Sequence, residues 1–120
     1  AAARQFAESV GKTPVVVPDS PGFIVNRLCV PYMLHAVHLL ESGLASKEEI
    51  DTAITLGLNN PIGPLALADL IGNDVVIAMA DGMYRDLQDH RFIVPPLLRK
   101  MVLANQLGRK TGKGFYEYKR

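Results

Sequence analysis

The stretch Asp19-Ser20-Pro21-Gly22-Phe23-Ile24-Val25-Asn26-Arg27 (DSPGFIVNR) marks the point where an extended segment turns into a helix. Ser20 suits the N-cap, and Pro21 suits the first helical position because its φ is already helical. Phe23, Ile24 and Val25 then open an apolar run. Asn26 sets a polar amide at the head of the stripe Asn26, Val30, Met33, Val37, Leu40, where apolar packing is expected. The residues alone leave two readings open. The amide either satisfies a backbone group near Pro31 or is held out to a ligand carbonyl or hydroxyl.

Working outward, the helix that starts here is expected to run to about Ser42, apolar nearly all round. Such a helix must be covered on several sides, which predicts a partner surface, most simply a second copy of the chain. Pro31 inside it leaves the Arg27 carbonyl without its usual donor and predicts a kink beside Asn26. Upstream, residues 1 to 10 place Ala3, Phe6, Ala7 and Val10 at helical spacing, and residues 14 to 17 read as one short strand. A lone strand cannot satisfy its own backbone, so these residues fit the end of a domain whose other strands lie elsewhere. The opening Ala1-Ala2-Ala3, without methionine, fits a longer parent protein.

Downstream, Gly43 closes the long helix, and Ser46 with Glu49 forms a capping box for the next, with Ile50, Ala53, Ile54 and Gly57 as its expected inward stripe. Asn59 to Pro64 is turn chemistry, and Pro64 opens a short helix through Leu67, Leu70 and Ile71. Asp74 can cap a helix carrying Val76, Met79, Ala80, Met83 and Leu87, and a last helix carries Leu98, Met101 and Val102. The expected fold is an all-α bundle of about five helices, followed by an aromatic tail (Phe115, Tyr116, Tyr118) that docks in extended form.

The chain has 120 residues, 48% of them hydrophobic, enough for one modest core. A net charge of +1 gives no field that argues for nucleic acid or an acidic membrane, and the basic residues near the end read as a solvated tail. The lone Cys29 excludes an intrachain disulfide and fits a reducing compartment. No apolar run approaches the roughly 20 residues of a membrane span. His35 and His38 lie three apart but lack further ligands at motif spacing, so no metal site is expected, and His90 sits in a polar loop. Cys29, inside an apolar helix, reads as an inert packed thiol. Gly108, Gly112 and Gly114 match neither a Walker loop nor a dinucleotide loop in spacing or context.

Five segments together carry a resemblance: GKTPVVV (11–17), DSPGFIVNR (19–27), ESGLASKEEID (41–51), NPIGPLALAD (60–69) and LGRKTGKGFYEY (107–118). In order and spacing the chain resembles the C-terminal domain of the 3-hydroxyacyl-CoA dehydrogenases, including the bacterial 3-hydroxybutyryl-CoA dehydrogenases. It departs at Ile71-Gly72-Asn73-Asp74, where the family commonly reads Gly-Leu-Asp. The resemblance implies a helical domain like the C-terminal domain of 6-phosphogluconate dehydrogenase over residues 19–120, preceded at 1–18 by the last helix and strand of a Rossmann domain. It also implies a cytoplasmic oxidoreductase of fatty acid metabolism that passes a hydride between a (S)-3-hydroxyacyl-CoA and NAD. The dinucleotide site and the catalytic His and Glu would belong to the Rossmann domain, so this chain alone would be inactive and bind no cofactor. Asn26 would be the active-site asparagine that orients the substrate, and Pro61, Ile62, Gly63, Pro64 and Leu67 would border the acyl chain. The helical domain would mediate a homodimer. The competing reading is a non-catalytic helical dimerisation module on the same fold.

Overall fold

The structure is a computed structural model that describes residues 21–119, the first three as backbone only. The helix expected over 1–10, the strand over 14–17 and the Ser20 cap lie outside the described residues. Helix α1 runs from Pro21 to Glu41 and continues through Pro31 without a break. Val30, Met33, Leu34, Ala36 and Val37 bury one face of α1, while Arg27, Leu28, His35, His38 and Glu41 are exposed on the other. The helix is therefore amphipathic over most of its length rather than apolar all round. It ends at Gly43, whose φ of 80° only glycine adopts freely, and the Leu44 amide bonds back to Leu39 O at 3.2 Å.

Helix α2, Lys47–Gly57, has the expected capping box: Glu49 N donates to Ser46 Oγ at 3.1 Å and Ser46 N to Glu49 Oε1 at 2.9 Å. These bonds from Ser46, backbone first, lower the Glu49 pKa. Its inward positions are Ile50 and Asp51, with Ile54 half-buried; Ala53 and Gly57, expected inside, are exposed. Helix α3, Pro64–Ile71, buries Leu65, Ala68 and Asp69 and turns Leu70 outward. One residue, Gly72 at φ 111°, separates it from α4, Asn73–Leu87. Asp74 stands in the first turn of α4 rather than at its cap. A 3-10 turn at His90–Phe92 leads to α5, Pro96–Leu103, and a second at Arg109–Thr111 precedes the tail.

The described residues thus form five α-helices and no strand, as expected of an all-α bundle. Helix α1 packs against all four other helices and the His90–Phe92 turn. The core joins Val30, Met33 and Val37 to Leu65, Val76, Phe92 and Leu98, each at most 1% exposed. Burying a side chain of this size contributes about 1.5–3 kcal/mol, so α1 is the element the other helices need most.

Candidate functional site

Asn26 lies in the second turn of α1, half-buried between the exposed Val25 and Arg27. The loop after α4 runs alongside α1, with Asp89 near enough to Arg27 to feel its charge. There Asp89 caps the 3-10 turn through Arg91 N at 2.9 Å and grips the Arg91 guanidinium at 2.6–3.1 Å. Arg91, with a smaller contribution from Arg27, holds the Asp89 carboxyl at about 2. Phe92, fully buried, anchors the turn to the core.

The residues expected to border an acyl chain fall into two groups. Pro61 is exposed and Ile62 half-buried, and both line a shallow groove of about 350 Å3 with Arg109, Tyr116 and Tyr118 on its far side. Gly63 and Pro64 are buried, and Leu67 is half-buried. A Cβ on Gly63 would collide with the Asp51 side chain, so this glycine is fixed by close approach. Asn60, just before the loop, faces the Tyr32 hydroxyl without closing a hydrogen bond of ordinary length, and burial raises the Tyr32 pKa. The loop therefore lies against α1 six residues beyond Asn26, roughly 9 Å along the helix axis.

Two buried carboxylates do what no sequence motif had indicated. Asp51 Oδ1 accepts from Leu65 N at 2.8 Å, and its Oδ2 accepts from Ala66 N at 3.0 Å and from the Tyr116 hydroxyl at 2.8 Å. It thereby caps α3, whose own N-cap Gly63 has no side chain to do so. Asp69 Oδ1 accepts from Phe115 N at 2.9 Å and Asn73 Nδ2 at 3.2 Å; its Oδ2 accepts from Tyr116 N at 3.0 Å and the Tyr118 hydroxyl at 2.7 Å. Burial, then Asp51, raises the pKa of Tyr116, and burial, then Asp69, raises that of Tyr118. A Cβ on Gly114 would strike the Asp69 carboxylate, which explains that glycine. Asn73, the departure from the resembled pattern, is fully buried and also donates to Gln106 O at 3.1 Å. The signal in the sequence was a lone carboxylate inside an apolar helical run, LALADLI.

All three histidines, separated in sequence, line one groove of about 450 Å3 between α1 and residues 90–96, together with Glu41 and Arg91. Glu41 is committed to Leu97 N at 2.8 Å, at the start of α5. Among the described residues no group of three or more His, Cys, Asp or Glu could hold a metal ion.

The glycine-rich end does not fit a dinucleotide. The amides of Gly108, Gly112 and Gly114 donate to Lys113 O, Arg109 O and Tyr116 O at 2.9–3.1 Å, leaving none of the three for a pyrophosphate. Lys110 pairs with Asp74 at 2.6 Å, which lowers the Asp74 pKa. Arg109 lies over the Tyr118 ring. Among the described residues no helix is long and apolar enough to cross a membrane.

The chain as a whole is similar to known proteins. The family described as 3-hydroxyacyl-CoA dehydrogenase, C-terminal domain, matches residues 22–118. A 3-hydroxybutyryl-CoA dehydrogenase of Clostridioides difficile is 54% identical over 95% of this chain and 41% of its own length. The mitochondrial hydroxyacyl-coenzyme A dehydrogenase of Sus scrofa is 50% identical over 95% of this chain and 37% of its own. The crystal structure of (S)-3-hydroxybutyryl-CoA dehydrogenase PaaH1 from Ralstonia eutropha superposes with a TM-score of 0.85 at 46% identity, over 99% of this chain and 42% of that one. The chain thus spans about two fifths of the length of these relatives. It belongs to the 3-hydroxyacyl-CoA dehydrogenase family, as that family's C-terminal domain.

Proposed function

We propose that this domain forms one wall of the acyl-CoA cleft in an NAD-dependent (S)-3-hydroxyacyl-CoA dehydrogenase, which interconverts the 3-hydroxyacyl and 3-ketoacyl thioesters. The observation that carries the reading is Asn26, a half-buried amide near the start of α1, within the matched region. A neutral amide can hydrogen-bond the reacting end of the substrate in either oxidation state and hold it in register for the reaction. In this reading NAD and the catalytic His and Glu belong to a Rossmann domain of the parent; the amides of Gly108, Gly112 and Gly114, all bonded within the tail, support it by leaving no donor for a pyrophosphate. Pro61 and Ile62 contribute the acyl-side border; Gly63, Pro64 and Leu67 shape it from beneath.

The parent works as a cytoplasmic enzyme of fatty acid metabolism, a setting the single Cys29 fits, and assembles as a homodimer through this domain. Leu28 and Ile93, 69% and 51% exposed, give a second copy apolar surface to cover. The test is direct. The full-length parent should oxidise (S)-3-hydroxybutyryl-CoA with NAD, whereas this 120-residue chain should do neither that nor bind NADH. A parent with no activity on 3-hydroxyacyl thioesters contradicts the reading.

A further inference from the structure

The loop between α2 and α3 has few ties of its own. Among the described residues none of the amides of Asn59, Asn60, Ile62 and Gly63 donates a hydrogen bond, and Asn60 stands off the Tyr32 hydroxyl. The seat of the loop is Asp51 of α2. Gly63 rests so close to that side chain that a Cβ would not fit, and the carboxylate holds the first amides of α3, Leu65 N at 2.8 Å and Ala66 N at 3.0 Å. Pro61 and Ile62 stand just before this seat, so a tilt of the carboxylate carries them with it. Two amides do not fix that tilt, because the last torsion of an Asp side chain is broad.

The third donor fixes it, and it comes from the tail. The Tyr116 hydroxyl lies 2.8 Å from Asp51 Oδ2 and 3.0 Å from Lys47 O, and its single proton goes to the nearer, charged acceptor. Tyr116 is itself held in place: its amide donates to Asp69 at 3.0 Å, and Lys47 Nζ donates to the neighbouring Phe115 O at 2.6 Å. We infer that Tyr116 is a positioning residue, whose hydroxyl sets through Asp51 where Pro61 and Ile62 stand and so how tightly the thioester substrate binds. The inference rests on the reading that these two residues border the acyl chain. A border touches ground state and transition state alike, so its displacement is felt in KM rather than in kcat.

The experiment measures KM and kcat for acetoacetyl-CoA with NADH in the full-length enzyme. Tyr116→Phe keeps the ring and removes only the hydroxyl; it should raise KM about fivefold and leave kcat within about twofold. Lys47→Met loosens the tail without removing the bond to Asp51, so it should lower the melting temperature and leave KM within about twofold. A KM unchanged in Tyr116→Phe overturns the inference. So does an equal rise in Lys47→Met, which would make any loosening of the tail sufficient, or a rise seen only as the enzyme falls to monomers, which would give the loop to a second copy. Ile62→Ala separates the inference from the reading beneath it. If Ile62→Ala raises KM and Tyr116→Phe does not, the border stands and the positioning role falls; if Ile62→Ala leaves KM unchanged, the border falls and takes the positioning role with it.

Discussion

Asp69 receives four donors, two from the tail backbone and one each from Tyr118 and Asn73, so that one carboxylate fastens residues 115–118 to α3. Hydrogen bonds to a charged group contribute roughly 1.5–3 kcal/mol each, and orphaned buried donors cost as much again. Asp69→Asn should therefore lower stability by about 3 kcal/mol or more in urea unfolding; a loss under about 1 kcal/mol would remove Asp69 from this role. Tyr116 and Tyr118 add a pH dependence. Their folded pKa values are raised above the unfolded value near 10, so the folded state holds the protons longer. That stability is complete below about pH 10 and declines as pH rises from there through the folded pKa. Phe substitution at both tyrosines should flatten the alkaline limb of the urea midpoint; an unchanged limb would contradict the linkage. Neither aspartate stood out in the sequence, because Asp in a helix usually faces water. Asp51 is explained by the head of α3 and Tyr116, and Asp69 mainly by the tail, contacts that no local pattern announces.

At the scale of elements, what local chemistry governs was legible. The Gly43 stop, the Ser46–Glu49 box and the Pro64 start of α3 all formed where the residue types demand them. Ser46→Ala should cost about 1 kcal/mol and lower the helical signal in proportion; a neutral result would mean the lower turn of α2 is held by tertiary contacts alone. The inward faces were less legible. In α2 the expected Ala53 and Gly57 are exposed, because Asp51 takes an inward position to reach the head of α3. In α3 Leu70 is outside for the same kind of reason, Asp69 having claimed the inner face for the tail. Periodicity sorts apolar from polar, and it fails where a buried carboxylate replaces an apolar residue.

The described residues form a central helix wrapped by shorter ones, with the tail clasped across α3. Its exposed leucines bear on assembly. Light scattering should give twice the chain mass, and Leu28→Arg should shift it toward the monomer by placing charge on the exposed apolar surface proposed for a second copy. A wild-type monomer would contradict the dimer. The candidate site was legible only through a family pattern: the residues alone left Asn26 with two readings, since an amide in an apolar stripe is equally a structural plug. The role of Asn26 is tested most directly by replacing it with Ala in the full-length enzyme and measuring kcat/KM on acetoacetyl-CoA, with the melting temperature as a control. The account predicts a fall on the order of a hundredfold at unchanged melting temperature. An unchanged kcat/KM would contradict it.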